Sequence, residues 1–305
     1  MLKTVDIEVL NVTFWEAGPL DGWPVILLHG FPYDINAFTE VVPILAGSGA
    51  RVIVPYLRGF GPTRFLDEKT PRSGEQAAVA HDLLGLMNSL KINKAYLVGY
   101  DWGGRAACIV AALWPERVSG LVSIGSYTIQ DIASVMEPAD PETEFPDWYQ
   151  YYFLVERGRN ALIRNRHALC QLLWRQWSPT WKFTDADFEK SAAAFANPSF
   201  VDVVIHSYRH RFGLVPGDPA YARTESVLTE LPPIRVPSFT LDGADDGVNT
   251  TSTRDHAKHF RGLYRYRLIE GAGHNLPQEK PHQLANVIIE LKKLVEVFIH
   301  ECRPQ

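Results

Sequence analysis

The chain is expected to fold as an α/β protein, a mostly parallel sheet flanked by helices with a helical segment inserted late in the chain. Three observations carry this expectation. From about residue 24 to 126, short apolar runs of strand length alternate with helix-length amphipathic segments. That pattern belongs to a parallel sheet with helices on both faces. From about Pro138 to Leu231 the alternation stops, and aromatic, helical segments take its place. At Pro237 it resumes and continues to near the end of the chain. The breaks divide the chain into a core, residues 1–137 and 232–305, and an inserted helical cap, residues 138–231. A length of 305 residues suits one large domain carrying such a lobe.

Taken in order, Val5 to Trp15 alternate well enough for one or two edge strands, and Leu20-Asp21-Gly22 reads as a turn. Pro24 to Leu28 is a continuous apolar run, the mark of a strand buried on both faces. It ends in His29-Gly30-Phe31-Pro32, and after a loop an amphipathic helix is expected from about Asn36 to Ala46. Arg51 to Val54 is the next buried strand, followed by Arg58-Gly59-Phe60-Gly61-Pro62. Ser73 to Leu90 reads as a helix, with Ser73 and Gln76 spaced as a capping box. Ala95 to Gly99 and Val118 to Ile124 are strands, with an alanine-rich helix from Arg105 to Trp114 between them. In the insertion, helices are expected over residues 147–156, 160–177, 184–194 and 199–211, separated or ended by prolines at 179, 198, 216 and 219. Pro237 to Gly243 and Tyr264 to Ile269 are the last strands, with a helix near 253–260 and a final one from Pro281 to about His300. An open α/β sheet binds its ligand beyond the carboxyl ends of its strands, and the insertion is expected to lie over that edge.

Composition narrows the function. A hydrophobic content of 46% with 21% charged residues is ordinary for a globular protein with a sizeable core. The net charge of −5 is spread over both signs, and no basic run suggests nucleic acid or an anionic membrane. No segment approaches the roughly 20 apolar residues of a membrane span, and the first residues hold no apolar stretch of signal-peptide length. Cys108, Cys170 and Cys302 are odd in number and widely spaced, suggesting neither a disulfide framework nor a metal site. A reducing, cytoplasmic setting is the expectation, with no cofactor and no metal. The oligomeric state is left open, a homodimer included.

The chemistry centres on Gly99-Tyr100-Asp101-Trp102-Gly103-Gly104. A buried strand, a glycine-lined tight turn and a helix make the setting of a nucleophile elbow, with Asp101 in place of the usual serine. A carboxylate that attacks an acyl carbon gives a labile anhydride, whereas attack on an sp³ carbon gives an ordinary ester that water can cleave. Asp101 therefore points to alkyl transfer from epoxides or alkyl halides. By itself it reads equally as a helix N-cap. Its companions favour catalysis. His274, in the Gly-rich loop after the last strand, suits a general base. The acid belongs after the preceding strand, where Asp242, Asp245 and Asp246 stand; Asp246, three residues past Gly243, is chosen, with Asp245 as the alternative. The order nucleophile, acid, His matches the hydrolase order. An oxyanion hole needs two N–H donors; Trp102, next to the nucleophile, and Phe31 supply them, since Pro32 has none.

These motifs resemble the α/β-hydrolase superfamily, and within it the epoxide hydrolases and the haloacid and haloalkane dehalogenases. His29-Gly30-Phe31-Pro32 looks like the His-Gly-x-Pro oxyanion motif, Tyr100 to Gly104 like the aspartate elbow, and Gly243 to Asp246 and Gly273-His274 like the acid and base motifs. The resemblance covers nearly all of the chain. Where the family often has Asp, Tyr56 stands. Epoxide hydrolases of this kind place two tyrosines over the nucleophile to protonate the leaving oxygen. Trp148-Tyr149-Gln150 and Ser207-Tyr208-Arg209 resemble those segments, so Tyr149 and Tyr208 are the implied acids, with Tyr151 and Tyr152 as neighbours of the first. Gln150-Tyr151 stands where fluoroacetate-type dehalogenases have His-Trp. His29, Pro32, Gln150, Tyr151 and Trp174 are candidates for contact with the substrate. The resemblance implies a cofactor-independent hydrolase for a small apolar epoxide, acting with water. A dehalogenase with the same nucleophile and base is the alternative, and a hydrolase-like receptor without turnover is a further one.

Overall fold

The structure, a computed structural model, describes residues 1–301 and the side chains of residues 1–297; Cys302 lies outside them. Among the described residues, nine strands form one sheet. They are β1 Leu2–Asp6, β2 Leu10–Ala17, β3 Trp23–Leu28, β4 Ala50–Pro55, β5 Arg64–Phe65, β6 Ala95–Tyr100, β7 Val118–Ile124, β8 Ser238–Gly243 and β9 Tyr264–Ile269. Their order is β1-β2-β4-β3-β6-β7-β8-β9, with the short β5 beside β2. β1, β2 and β5 pair antiparallel, and from β4 to β9 every pairing is parallel. The central strands β3 and β6 are apolar runs because both of their faces are covered.

The first helices of the core are α1 Val41–Gly47, α2 Gln76–Ser89 and α3 Asp101–Leu113. α1 connects β3 leftward to β4, whereas α2 and α3 connect rightward to β6 and β7. Right-handed crossovers therefore put α1 on one face and α2 with α3 on the other. Between β7 and β8 the described chain holds no strand. It holds α4 Pro141–Glu144, α5 Trp148–Leu154, α6 Glu156–Trp177, α7 Asp185–Ala192, α8 Phe200–Arg211 and α9 Ala222–Leu228. After β9 come α10 Leu276–Glu279 and α11 Pro281–Glu301, and α11 packs on the α1 face. None of the described helices is long and apolar enough to cross a membrane.

Four local expectations are corrected. The helix expected over 36–46 is a 3-10 turn, Ile35–Phe38, followed by α1. Pro43 has no N–H to give, which a helix tolerates only in its first turn, so α1 starts at Val41. The capping box at Ser73 is absent, because α2 begins at Gln76 with Glu75 at its N-cap. Ser73 instead accepts the buried Arg58 guanidinium through its carbonyl and hydroxyl, both at 3.0 Å, and a buried cation needs those acceptors more than a helix end does. The helix near 253–260 is a 3-10 turn, Arg254–His259. α3 starts at Asp101 itself, four residues before the expected Arg105.

Candidate active site

The loops that follow β3, β6, β8 and β9 carry Phe31, Asp101, Asp246 and His274. All four strands run parallel, so these loops leave the same edge of the sheet. The turn after β6 is tight enough that Asp101 adopts φ +50, a left-handed conformation costing about 1–3 kcal/mol for a residue with a side chain. Glycine is required around it: a Cβ on Gly103 would collide with the Leu28 carbonyl, and one on Gly30 with Asp101. Tyr100, not Asp101, occupies the N-cap of α3.

One carboxylate oxygen of Asp101, Oδ1, accepts the N–H of Phe31 at 3.0 Å and that of Trp102 at 2.5 Å. The other, Oδ2, lies 3.7 Å from His274 Nε2. On its far side, His274 Nδ1 meets Asp246 Oδ2 at 3.0 Å. Asp246 is anchored by the N–H groups of Val248 and Asn249 at 2.9 Å and the Asn249 amide at 3.0 Å. The two other aspartates of this stretch face elsewhere. Asp245 accepts from Thr180 at 2.9 Å, and Asp242 holds the Thr253 hydroxyl at 2.8 Å.

Charge within this row is strongly coupled. Burial opposes ionisation of Asp101, but the His274 ring, the Arg105 charge and the Phe31 N–H outweigh it and hold the carboxyl at about 2. Burial likewise opposes protonation of His274, and the two flanking carboxylates overcome it, raising the imidazole to about 10.

Tyr149 and Tyr208, from α5 and α8, are both buried, with ring centroids 5.6 Å apart and planes perpendicular. Tyr149 lines a cavity of about 310 Å³ together with Asp101 and His274. Tyr208 stands behind it against Phe31 and Phe153. Burial raises both phenols above their ordinary range, so both remain O–H donors at neutral pH.

The candidates for substrate contact divide. Gln150 lines the cavity. His29 does not: it is fully buried, with Nε2 accepting the Leu57 N–H at 3.1 Å and Nδ1 3.0 Å from the Gly30 carbonyl. It braces the loop that presents Phe31. Pro32, after a cis peptide bond, turns its carbonyl to the Trp174 indole N–H at 2.8 Å, and Trp174 is fully buried against Tyr33. Tyr151 is 40% exposed and packs on Phe212, outside the cavity.

Sequence reasoning missed several residues of the site. The Trp177 carbonyl, at the end of α6, accepts both the Gly247 N–H at 2.9 Å and the His274 N–H at 3.0 Å. Ser178 accepts the Asn275 N–H at 3.1 Å and donates to Glu279 at 2.7 Å. Arg105 and Arg211 line the cavity. Arg105 had one available signal, its place four residues after Asp101 on the elbow helix.

A family model described as alpha/beta hydrolase fold matches residues 24–281. A solved structure from Klebsiella pneumoniae, provisionally assigned as an epoxide hydrolase, superposes with a TM-score of 0.94 at 44% identity, covering 96% of this chain and 97% of that one. Epoxide hydrolase B of Mycobacterium tuberculosis is 32% identical over 156 residues, which are 47% of this chain and 42% of that protein. The chain thus spans under half the length of that relative. A haloalkane dehalogenase of Psychrobacter cryohalolentis is 24% identical over 309 residues, covering 99% of this chain and 91% of that protein.

Proposed function

The chain belongs to the α/β-hydrolase-fold family, and from that premise we propose that it opens an epoxide to a vicinal diol through a covalent ester on Asp101. The observation that carries this reading is the division of labour between the two oxygens of Asp101. Oδ1 already occupies the pair of N–H donors, and Oδ2 faces the cavity beside His274.

Oδ2 attacks an epoxide carbon, forming a C–O bond as the ring C–O bond breaks. The departing oxygen takes a proton from Tyr149 or Tyr208, because an alkoxide leaves poorly without an acid. Alkylation removes the negative charge of Asp101, one of the two charges that keep His274 protonated, so the imidazole falls toward the range in which it works as a base. Water then adds to the ester carbonyl while His274 takes its proton, and Asp246 stabilises the imidazolium. The oxyanion forms at Oδ1, where the Phe31 and Trp102 N–H groups await it. Collapse expels the ester oxygen, which takes the proton of the added hydroxyl to complete the diol as the Asp101 carboxylate re-forms, and the proton on His274 restores the tyrosine through solvent. Residues 138–231 act as the cap that supplies both phenols, with residues 1–137 and 232–305 as the core. Cys108 and Cys170, both buried free thiols, suit a cytoplasmic setting.

A dehalogenase reading is favoured by one observation: the buried indole N–H of Trp177, whose ring lies 5.2 Å from that of His274, has no hydrogen-bond partner among the described residues and suits a departing halide. The deciding experiment assays aryl and alkyl epoxides beside haloacids and haloalkanes, following diol and halide together. Diol release supports the epoxide reading; halide release without diol replaces it.

A further inference from the structure

The cavity that holds Asp101 also holds two arginines that form no ion pair with a carboxylate among the described residues. Arg105 and Arg211 both line it. Arg105 lies four residues beyond Asp101 on α3, one turn along the same face, and only longer-range charges act on it. Arg211, from α8, is buried. Its guanidinium gives one N–H to Gln150 Oε1 at 2.6 Å and another to the side-chain oxygen of Gln130 at 3.1 Å, both neutral acceptors, and stacks 4.8 Å from the centre of the Tyr208 ring. Burial and the neighbouring charge of Arg211 lower Arg105 to about 10, against the opposing pull of Asp101. Asp147, whose carboxyl both arginines act on at longer range, is tied to the Gln150 amide at 2.5 Å and forms no ion pair with either. Asp101 and Asp147 line the same cavity and offset the two charges at longer range, but neither guanidinium has an ionic partner in contact, which leaves both free to take an anion. The lining also includes Thr250, Thr251 and Ser252, which offer hydroxyls.

We propose that the substrate carries its own oxyanion, a carboxylate or phosphonate, which docks between Arg105 and Arg211 while the epoxide carbon meets Asp101. The inference rests on the epoxide reading above and replaces the expectation of an apolar substrate. One helix turn, about 5.4 Å, separates Arg105 from the nucleophile. The anion and the electrophilic carbon must therefore be a few bonds apart, as in an α,β-epoxy acid. Without the arginines, Asp101 and Asp147 would repel such a substrate.

The test compares kcat/KM for 3-phenylglycidate with that for its uncharged primary amide, in the wild type, Arg105→Gln and Arg105→Lys. A charge-assisted, bidentate contact is worth about ten- to a hundredfold in affinity. The wild type should prefer the acid by at least that factor. Arg105→Gln should lower the acid-to-amide ratio by about ten- to a hundredfold, chiefly through KM, and Arg105→Lys should restore part of it. Added salt should raise KM for the acid more than for the amide. Circular dichroism establishes that each variant is folded. The proposal falls if the wild type turns over the amide as well as the acid, or if Arg105→Gln lowers both equally, which would make Arg105 a general electrostatic aid. Turnover of neutral epoxides alone overturns the docking site and leaves the epoxide reading standing. Selective halide release from haloacids, sensitive to Arg105 and without any diol from epoxides, overturns the epoxide reading and supports the docking site.

Discussion

Replacing His274 by Gln should separate the two halves of the reaction and leave the ester on the protein. Glutamine fills a similar volume and keeps a hydrogen-bonding group near Asp246, but it cannot take a proton. Loss of a positioned general base costs about a hundred- to ten-thousandfold in rate, equivalent to about 3–5 kcal/mol of barrier, and all of it should fall on ester hydrolysis. The first half depends on Asp101 being ionised. Without His274 its carboxyl rises from about 2, yet the Phe31 and Trp102 N–H groups and the Arg105 charge remain, so it stays ionised at neutral pH. Alkylation should therefore run to one equivalent and stop. Intact-protein mass spectrometry should show a gain of one substrate mass, and peptide mapping should place it on Asp101. A thermal melt is needed alongside, because Asp246 is then left buried against a neutral partner, at a cost of about 1–3 kcal/mol. A folded, inactive His274→Gln protein with no adduct would refute the reasoning, and so would one that turns over at the wild-type rate.

Asp101→Asn should abolish turnover with the circular dichroism spectrum unchanged; a folded variant near the wild-type rate removes Asp101 from the mechanism. Tyr208→Phe should slow diol formation by about ten- to a hundredfold, since a hydrogen bond to a charged oxygen is worth about 1.5–3 kcal/mol. Tyr149→Phe with Tyr208→Phe should nearly abolish it, while full activity in the double variant, read by chromatography of the diol, counts against the phenols as acids. Stability should also report the buried charge row. His274, raised to about 10 by its carboxylates, contributes stability that is complete below its ordinary value of 6.5 and is lost as the pH rises toward 10. Melting temperatures of the wild type should fall across that window, and those of His274→Gln should fall less; parallel curves would mean that His274 is not held protonated.

Strands were legible because burial on both faces leaves little choice of residue. Val25 to Leu28 and Leu97 to Val98 are apolar without interruption, and they form β3 and β6. Helix starts were less legible. Ser73 has the right spacing for a cap, but Arg58, distant in sequence, draws its hydroxyl away, and sequence patterns carry no information about such a competitor. Asp101, Asp246 and His274 could be picked out because strand order fixes which loops meet at the carboxyl edge. Of the expected contact residues, only Gln150 lines the cavity. His29 and Trp174 look like site residues, yet each spends its ring nitrogen on a backbone group of another loop. Arg211 looks like a solvated residue at the end of α8. Only the packing of α8 against α5 brings it to Gln150.

The same packing bears on how the inserted helices relate to the catalytic row. The Trp177 carbonyl holds the loop of the acid and the loop of the base at once, through Gly247 and His274, and the adjacent Ser178 fastens Asn275 and Glu279. Four contacts from two residues at the end of α6 thus fix the backbone on which the Asp246–His274 pair depends. On the proposed mechanism, a displacement of the helices between β7 and β8 that broke them would free both loops, so this corner must stay closed while His274 acts as the base. Thr143, Asp147, Thr250 and Thr251 also line the cavity, with no hydrogen bond between the first pair and the second.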